Sequence, residues 1–147
     1  MTDEDDSPTL ADVEAKAMRL LSRRAHAEGE LRRKLRKKDF PDELIDEACA
    51  KMREYGYLDD AAFAEDQAAM LARKGWGPRQ IEHKLGKRGV DEAIIDEALR
   101  AVGDRDTWLE NCRARLRTKY RCEPDDLDRD AQEKAFRHLK YRGFHAS

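Results

Sequence analysis

Lys34 and Lys37 stand three residues apart, and fifty residues on Lys84 and Lys87 repeat the spacing. Arg23-Arg24 precede the first pair, Arg73-Lys74 precede the second, and Arg88 follows it. Ammonium and guanidinium groups donate hydrogen bonds and carry lasting positive charge. The chemistry on offer is therefore anion binding, to nucleic-acid phosphates or to the carboxylates of an acidic protein groove. The competing reading is a solvated surface paired with nearby acids. Other reactive residue types do not assemble into a reaction centre. Cys49, Cys112 and Cys122 are odd in number, with no Cys-x-x-C and no zinc-finger spacing, so reduced, partly buried thiols are expected. His26, His83, His138 and His145 are scattered. Gly75-Trp76-Gly77 has neither the spacing nor the preceding strand of a phosphate loop. The expectation is a protein with no catalytic residue, no cofactor and no metal.

Binding residues need elements to carry them, and the composition points to helices. The chain has 147 residues, 42% charged and 7% aromatic. That is too polar for one deep core but suits a thin array of small helical units. Ala, Leu, Arg, Glu and Lys dominate, which favours helix nearly throughout. No stretch of 18 apolar residues and no secretory h-region is present, so a soluble, cytoplasmic protein without a membrane segment is expected.

The lysine spacing is one sign of a longer repeat. "RAHAEGELRRKLRKKDFPDELIDEA", from Arg24 to Ala48, lies without a gap on "KGWGPRQIEHKLGKRGVDEAIIDEA", from Lys74 to Ala98. Leu31 meets Ile81, Leu35 meets Leu85, Phe40 meets Val90, and Ile-Asp-Glu-Ala recurs letter for letter. Apolar periodicity predicts helices over about 10–24, 28–38 and from Pro41 to Gly56, where Gly56 supplies a left-handed cap. The apolar faces are Val13, Ala17, Leu20 and Leu21, then Leu31 and Leu35, then Leu44, Ile45, Ala48 and Met52. In the second cycle Asp59 or Asp60 caps a helix bearing Phe63, Ala64, Met70 and Leu71. Gly77-Pro78 opens the next helix and Gly89 closes it. Asp91 caps the third, with Ile94, Ile95, Ala98 and Val102. A looser third cycle places Trp108, Leu109, Cys112 and Leu116 on one helix and residues 127–141 on another. "HLKYRGF", His138 to Phe144, matches "KLGKRGV", Lys84 to Val90.

The expected organisation is a disordered acidic tail over 1–14, then repeats at 15–58, 59–103 and 104–147, the third incomplete. So small a unit cannot stand far above its ordering cost, so an all-α, elongated and curved array of tandem three-helix repeats is predicted. Charge follows the repeat. Residues 1–14 sum to −6, 15–38 to +8, 39–66 to −8 and 67–90 to +5. Only Trp76 and Tyr120 are closely interleaved with bases, so a base-stacking platform has little support. Trp76 reads as a packing residue or, if exposed, as an interface anchor.

These residues resemble the RecX family, bacterial regulators of the RecA recombinase. "YGYLDDAAFAEDQ", Tyr55 to Gln67, is similar to the family's Gly-Tyr-[Leu/Ile]-[Asp/Asn]-Asp…Phe-Ala segment. "GPRQIEHKL" with Arg88-Gly89-Val90, "RRAHAEGELRRKL" from Arg23 to Leu35, and "YRGF" from Tyr141 to Phe144 follow the family's order over about residues 15–144. The resemblance implies tandem three-helix repeats and no enzymatic activity. It implies a protein that lies in the groove of the RecA nucleoprotein filament and restrains ATP hydrolysis and strand exchange in recombination, DNA repair and the SOS response; a monomer is expected. Some relatives also bind single- or double-stranded DNA. Arg23, Arg24, Lys34, Lys37, Arg73, Lys74, Lys84, Lys87 and Arg88 are the interface candidates. Gly56, Tyr57, Leu58 and Phe63 are read as the corner between repeats. A direct DNA-binding helical module is the alternative.

Overall fold

The computed structural model describes residues 7–144, and all structural statements concern these residues. They form eight α-helices and no strand: α1 (Leu10–Arg23), α2 (Glu28–Lys37), α3 (Asp42–Glu54), α4 (Asp60–Arg73), α5 (Pro78–Lys87), α6 (Glu92–Val102), α7 (Arg105–Tyr120) and α8 (Arg129–Arg142). A 3-10 turn, Pro124–Asp126, precedes α8. The helices fall into two compact units. The first runs through Phe63 and includes Arg88–Val90; the second comprises Ala64–Lys87 and the chain from Asp91 onward.

In the first unit, Val13 and Ala17 of α1 close over Leu31 and Leu35 of α2 and over Ile45, Ala48, Cys49 and Met52 of α3, with Leu58 beside them. The spacing explains the fit: Leu31 and Leu35 lie one turn apart on one stripe of α2. Each such Leu or Ile contributes roughly 1.5–3 kcal/mol by leaving water. α1 starts at a reciprocal cap. Thr9 Oγ1 accepts from the Asp12 amide at 3.3 Å, and the Asp12 carboxylate accepts from the Thr9 amide at 2.9 Å.

α2 has no cap of its own, because Ala27 precedes it. Its first amide, Glu28 N–H, donates instead to Asp60 Oδ1 at 2.8 Å, across 32 residues of sequence. Neighbouring Asp59 caps α4 through the Ala62 amide at 3.1 Å. Gly56, at φ +83, lets the Tyr57 and Leu58 amides return to the Met52 carbonyl. Gly29 meets Gly89 backbone to backbone: a Cβ on Gly29 would lie 2.8 Å from the Gly89 carbonyl oxygen.

The second unit uses a similar clasp. Ile81 and Leu85 of α5 are buried, as are Ile95 and Ala98 of α6, Leu116 of α7, Ala135 of α8 and Phe144. The Gly77 amide donates to the Arg142 carbonyl at 2.7 Å and the Arg79 amide to the Gly143 carbonyl at 3.0 Å. A Cβ on Gly77 would come within 2.6 Å of Gly143 and Phe144 backbone atoms.

Several details depart from the sequence reading. Asp12 and Glu14 belong to α1, so the acidic stretch is helical from Leu10; residues 1–6 of the expected tail lie outside the described residues. Pro41 is the residue before α3 rather than its first, because its extended backbone leads into the turn. Asp91 precedes α6 but its side chain makes no capping bond. Ala68 is buried on α4, whereas Met70 and Leu71 are only half-buried. Leu109 is 42% exposed, so it is a surface residue of α7. α8 starts at Arg129, two residues later than expected, because Asp128 caps it through the Ala131 amide at 2.8 Å.

Candidate basic interface

The nine basic residues singled out by sequence fall into different environments. In the first unit Arg23 ends α1 and is exposed, and Lys37 is exposed on α2. Lys34 is half-buried because it leans on His26: its Nζ lies 2.9 Å from His26 Nε2. His26 Nδ1 lies 2.9 Å from the Arg24 carbonyl oxygen, so that nitrogen carries the proton and Nε2 accepts from the ammonium. His26 is 3% exposed, and burial, then the positive charges of Lys34 and Arg24, push its pKa down despite the carbonyl bond.

Arg24 and Arg88 are less available than their sequence positions suggest. Both bind Glu30, Arg24 at 2.6 Å and Arg88 at 3.2 Å. Arg88 also covers the Phe63 ring, 4.7 Å from its centroid. Burial alone would raise the Glu30 carboxyl; the two guanidiniums reverse this and hold it at about 2. Two residues before it, Glu28 takes Arg32 at 2.9 Å and also Arg53. The first unit therefore neutralises much of its own positive charge with two glutamates at the start of α2.

In the second unit Arg73 and Lys74 are exposed at the end of α4, and Lys87 is exposed at the end of α5. Lys84 is half-buried, its Nζ 4.3 Å from the centroid of Trp76. Trp76 sits fifty residues after His26, as Lys84 does after Lys34. In both units the same lysine leans on the same aromatic position. The Arg142 guanidinium also covers Trp76, at 3.7 Å, so the indole is a packing residue. Arg142 donates from Nε to the Gly75 carbonyl at 3.1 Å and from Nη2 to the Lys74 carbonyl at 2.6 Å.

Sequence reasoning missed four residues here. Arg115 Nε donates to His138 Nε2 at 3.0 Å, and Arg115 and Arg142 both crowd Gly75. Lys119 acts electrostatically on His138. Arg142 carried a signal, since Arg142-Gly143-Phe144 repeats Arg88-Gly89-Val90. His138 stands opposite Lys84 in the same alignment, whereas Arg115 and Lys119 carried no signal, because they meet it only through the packing of α7 and α8. The arrangement is one of donors and positive charge. The Cys49 and Cys112 thiols are poor nucleophiles, as burial pushes Cys49 up to about 11 and raises Cys112 as well. Among the described residues no helix is long and apolar enough to cross a membrane.

Residues 15–52 match the family model described as RecX, first three-helix domain, and residues 59–99 match RecX, second three-helix domain. The chain belongs to the RecX family. The regulatory protein RecX of Ectopseudomonas mendocina is 44% identical over 134 residues, covering 90% of this chain and 86% of that protein. The RecX of Pseudomonas savastanoi pv. phaseolicola is 39% identical over 134 residues, covering 90% and 83%. The crystal structure of RecX from Lactobacillus salivarius superposes with a TM-score of 0.80 at 24% identity, over 93% of this chain and 89% of that one, which shows a common fold. A second RecX crystal structure gives 0.73 at 26% identity, over 93% and 70%. The two matched RecX domains hold all nine expected interface residues, while Arg115, Lys119, His138 and Arg142 lie beyond them.

Proposed function

We propose that this RecX-family chain is a regulatory protein that binds the RecA nucleoprotein filament and lowers its ATPase and strand exchange during recombination and DNA repair. The observation that carries this reading is the 44% identity to a regulatory protein RecX over 90% of the chain. The repeats at 15–58, 59–103 and 104–147 act as successive docking modules of a cytoplasmic monomer that works by binding and not by catalysis. Exposed Arg23, Lys37, Arg73, Lys74 and Lys87 meet the filament directly. Half-buried Lys34 and Lys84 present their ammonium groups from fixed aromatic supports. Arg24 and Arg88 support that surface through Glu30.

The test is the ATPase of RecA on single-stranded DNA, with co-sedimentation of the protein on the filament. ATPase should fall as this protein is added. Reversing the exposed Lys37, Lys74 and Lys87 to Glu should restore it while circular dichroism stays native, since exposed charges contribute little to stability. Unchanged ATPase at saturating protein, with no protein in the filament pellet, would sink the proposal. The alternative, a DNA-binding module that acts without RecA, draws on the cations of α7 and α8.

A further inference from the structure

The second helix of a repeat turns one flank toward the helix that follows it. On α2 that flank is Glu28, Arg32 and Arg36, which pair with Arg53, Asp46 and Asp42 of α3. On α5 it is Pro78, Arg79 and Glu82, which line one hollow together with Leu99 of α6. α8 aligns with α5 through His138–Phe144 and Lys84–Val90, so Gln132, Glu133 and Phe136 take the places of Pro78, Arg79 and Glu82. These three also line a hollow, with Arg129 and Arg137. Among the described residues its lining comes from α8 alone, and the Phe136 ring is left 52% exposed. Phe40 leads on into α3 and Val90 into α6, whereas Phe144, at the matching turn, is the last described residue.

The two helices that do cover such a flank are alike. Both carry acids in the first turn, Asp42 and Glu43 on α3 and Glu92 on α6. Both bury the Ile and the Ala of Ile-Asp-Glu-Ala, as Ile45 and Ala48 and as Ile95 and Ala98. The Asp42 carboxylate takes Arg36 at 3.3 Å. Lys140 stands at the place of Arg36 on α8 and is exposed, as is Arg137 beside Phe136. Phe136 stands at the place of Arg32, which α3 meets with a carboxylate. The flank of α8 therefore keeps the positive charge of the α2 flank and adds an uncovered ring.

We propose that the Phe136 flank of α8 docks an amphipathic, acidic helix of a partner protein, laid on α8 as α3 lies on α2 and α6 on α5. The chemistry of that helix follows from the two covered copies. Carboxylates in its first turn face Lys140 and Arg137. An apolar side chain stands where Leu99 stands on α6 and covers Phe136. Apolar anchors on one helix face supply the affinity, and the charges fix the direction in which the helix lies. Docking there is independent of the filament reading, and its test contains no recombinase.

The probe is α6 itself, supplied in trans: a fluorescein-labelled peptide of residues 90–103. A lactam between Glu97 and the lysine of an Ala93→Lys change holds it helical, because free helices this short are marginal in water. It is titrated with the full chain, and binding is read by fluorescence anisotropy. Phe136→Ser in the protein, or Leu99→Ser in the peptide, should weaken binding on the order of tenfold. Phe136 is exposed, so Phe136→Ser should leave circular dichroism native. Lys140→Glu should weaken binding roughly threefold to tenfold, and Glu92→Lys in the peptide should recover part of that loss. The proposal is overturned if the peptide does not bind. It is overturned if folded Phe136→Ser binds the peptide with unchanged affinity, since the peptide would then be displacing α6 or adhering elsewhere. It is also overturned if sedimentation equilibrium shows self-association that Phe136→Ser abolishes, since the flank would then be an interface between copies of this chain.

Discussion

The start of α2 and the start of α5 are the same piece of architecture with different electrostatics. Both are short helices with two buried apolar residues, a lysine leaning on an aromatic ring, and a glycine-bearing turn pressed against the first backbone turn. At α2 two glutamates gather Arg24, Arg32, Arg53 and Arg88. At α5 the matching positions are Pro78 and Gln80, and Arg142 is left facing Arg115. Apolar burial and backbone fit therefore hold the clasp in both places, and the ion pairs are an addition to one of them. The copy without carboxylates is the one with positive charge to offer a ligand.

The comparison breaks most sharply at its glycines. Gly77→Ala should destabilise the protein by about 1–3 kcal/mol in urea unfolding, because the new Cβ meets backbone, which cannot move aside. Gly86→Ala, in the last turn of α5 with open space around it, should be tolerated, with a stabilisation of up to about 0.5 kcal/mol. If both changes act alike, backbone fit does not hold the clasp.

Glu30→Gln makes the first unit resemble the second. Removing a carboxylate bound by Arg24 and Arg88 should cost about 1–3 kcal/mol. The same pairing fixes an acid response. The folded carboxyl lies at about 2, below its ordinary value of about 4.3, so its contribution is full above that value and is lost as pH falls toward 2. Stability measured from pH 5 down to pH 2 should therefore fall less steeply in Glu30→Gln. An equal slope would show that the pairing does not stabilise the fold.

The smallest effect is expected at the aromatic support. His26 titrates and Trp76 does not. Burial lowers the folded pKa of His26, so the unfolded chain binds the proton more readily. Stability from this group is full above about 6.5 and declines as pH falls through the lowered folded value. A His26→Gln variant should show a shallower loss of stability between pH 7 and pH 5. Matching curves would mean that His26 is equally easy to protonate in the folded and unfolded chain.

Much of the fold was legible because its causes are local. Leu31 and Leu35, Ile81 and Leu85, and Ile45 and Ala48 announce buried helix faces by their spacing alone, and Gly56 and Gly89 mark the turns they make. The interface residues were legible only as basic and recurrent. Arg24 and Arg88 look equivalent to Lys37 and Lys87 in sequence, yet Glu30 holds the first pair, with Arg88 reaching it across 58 residues.

The sequence by itself determined an all-α chain, a fifty-residue repeat, the helix faces that must be buried, and an alternation of positive and negative segments. Each follows from helical period or from composition, which need no knowledge of what lies across the fold. Tertiary structure decided which charges are neutralised. It brought Asp60 to cap α2, set Arg24 and Arg88 on one carboxylate, and gathered Arg115, His138 and Arg142 near Gly75 with no acid among them. Charge pairing depends on separations of a few ångströms and on the water excluded around them, and both are set by packing between residues far apart in the chain.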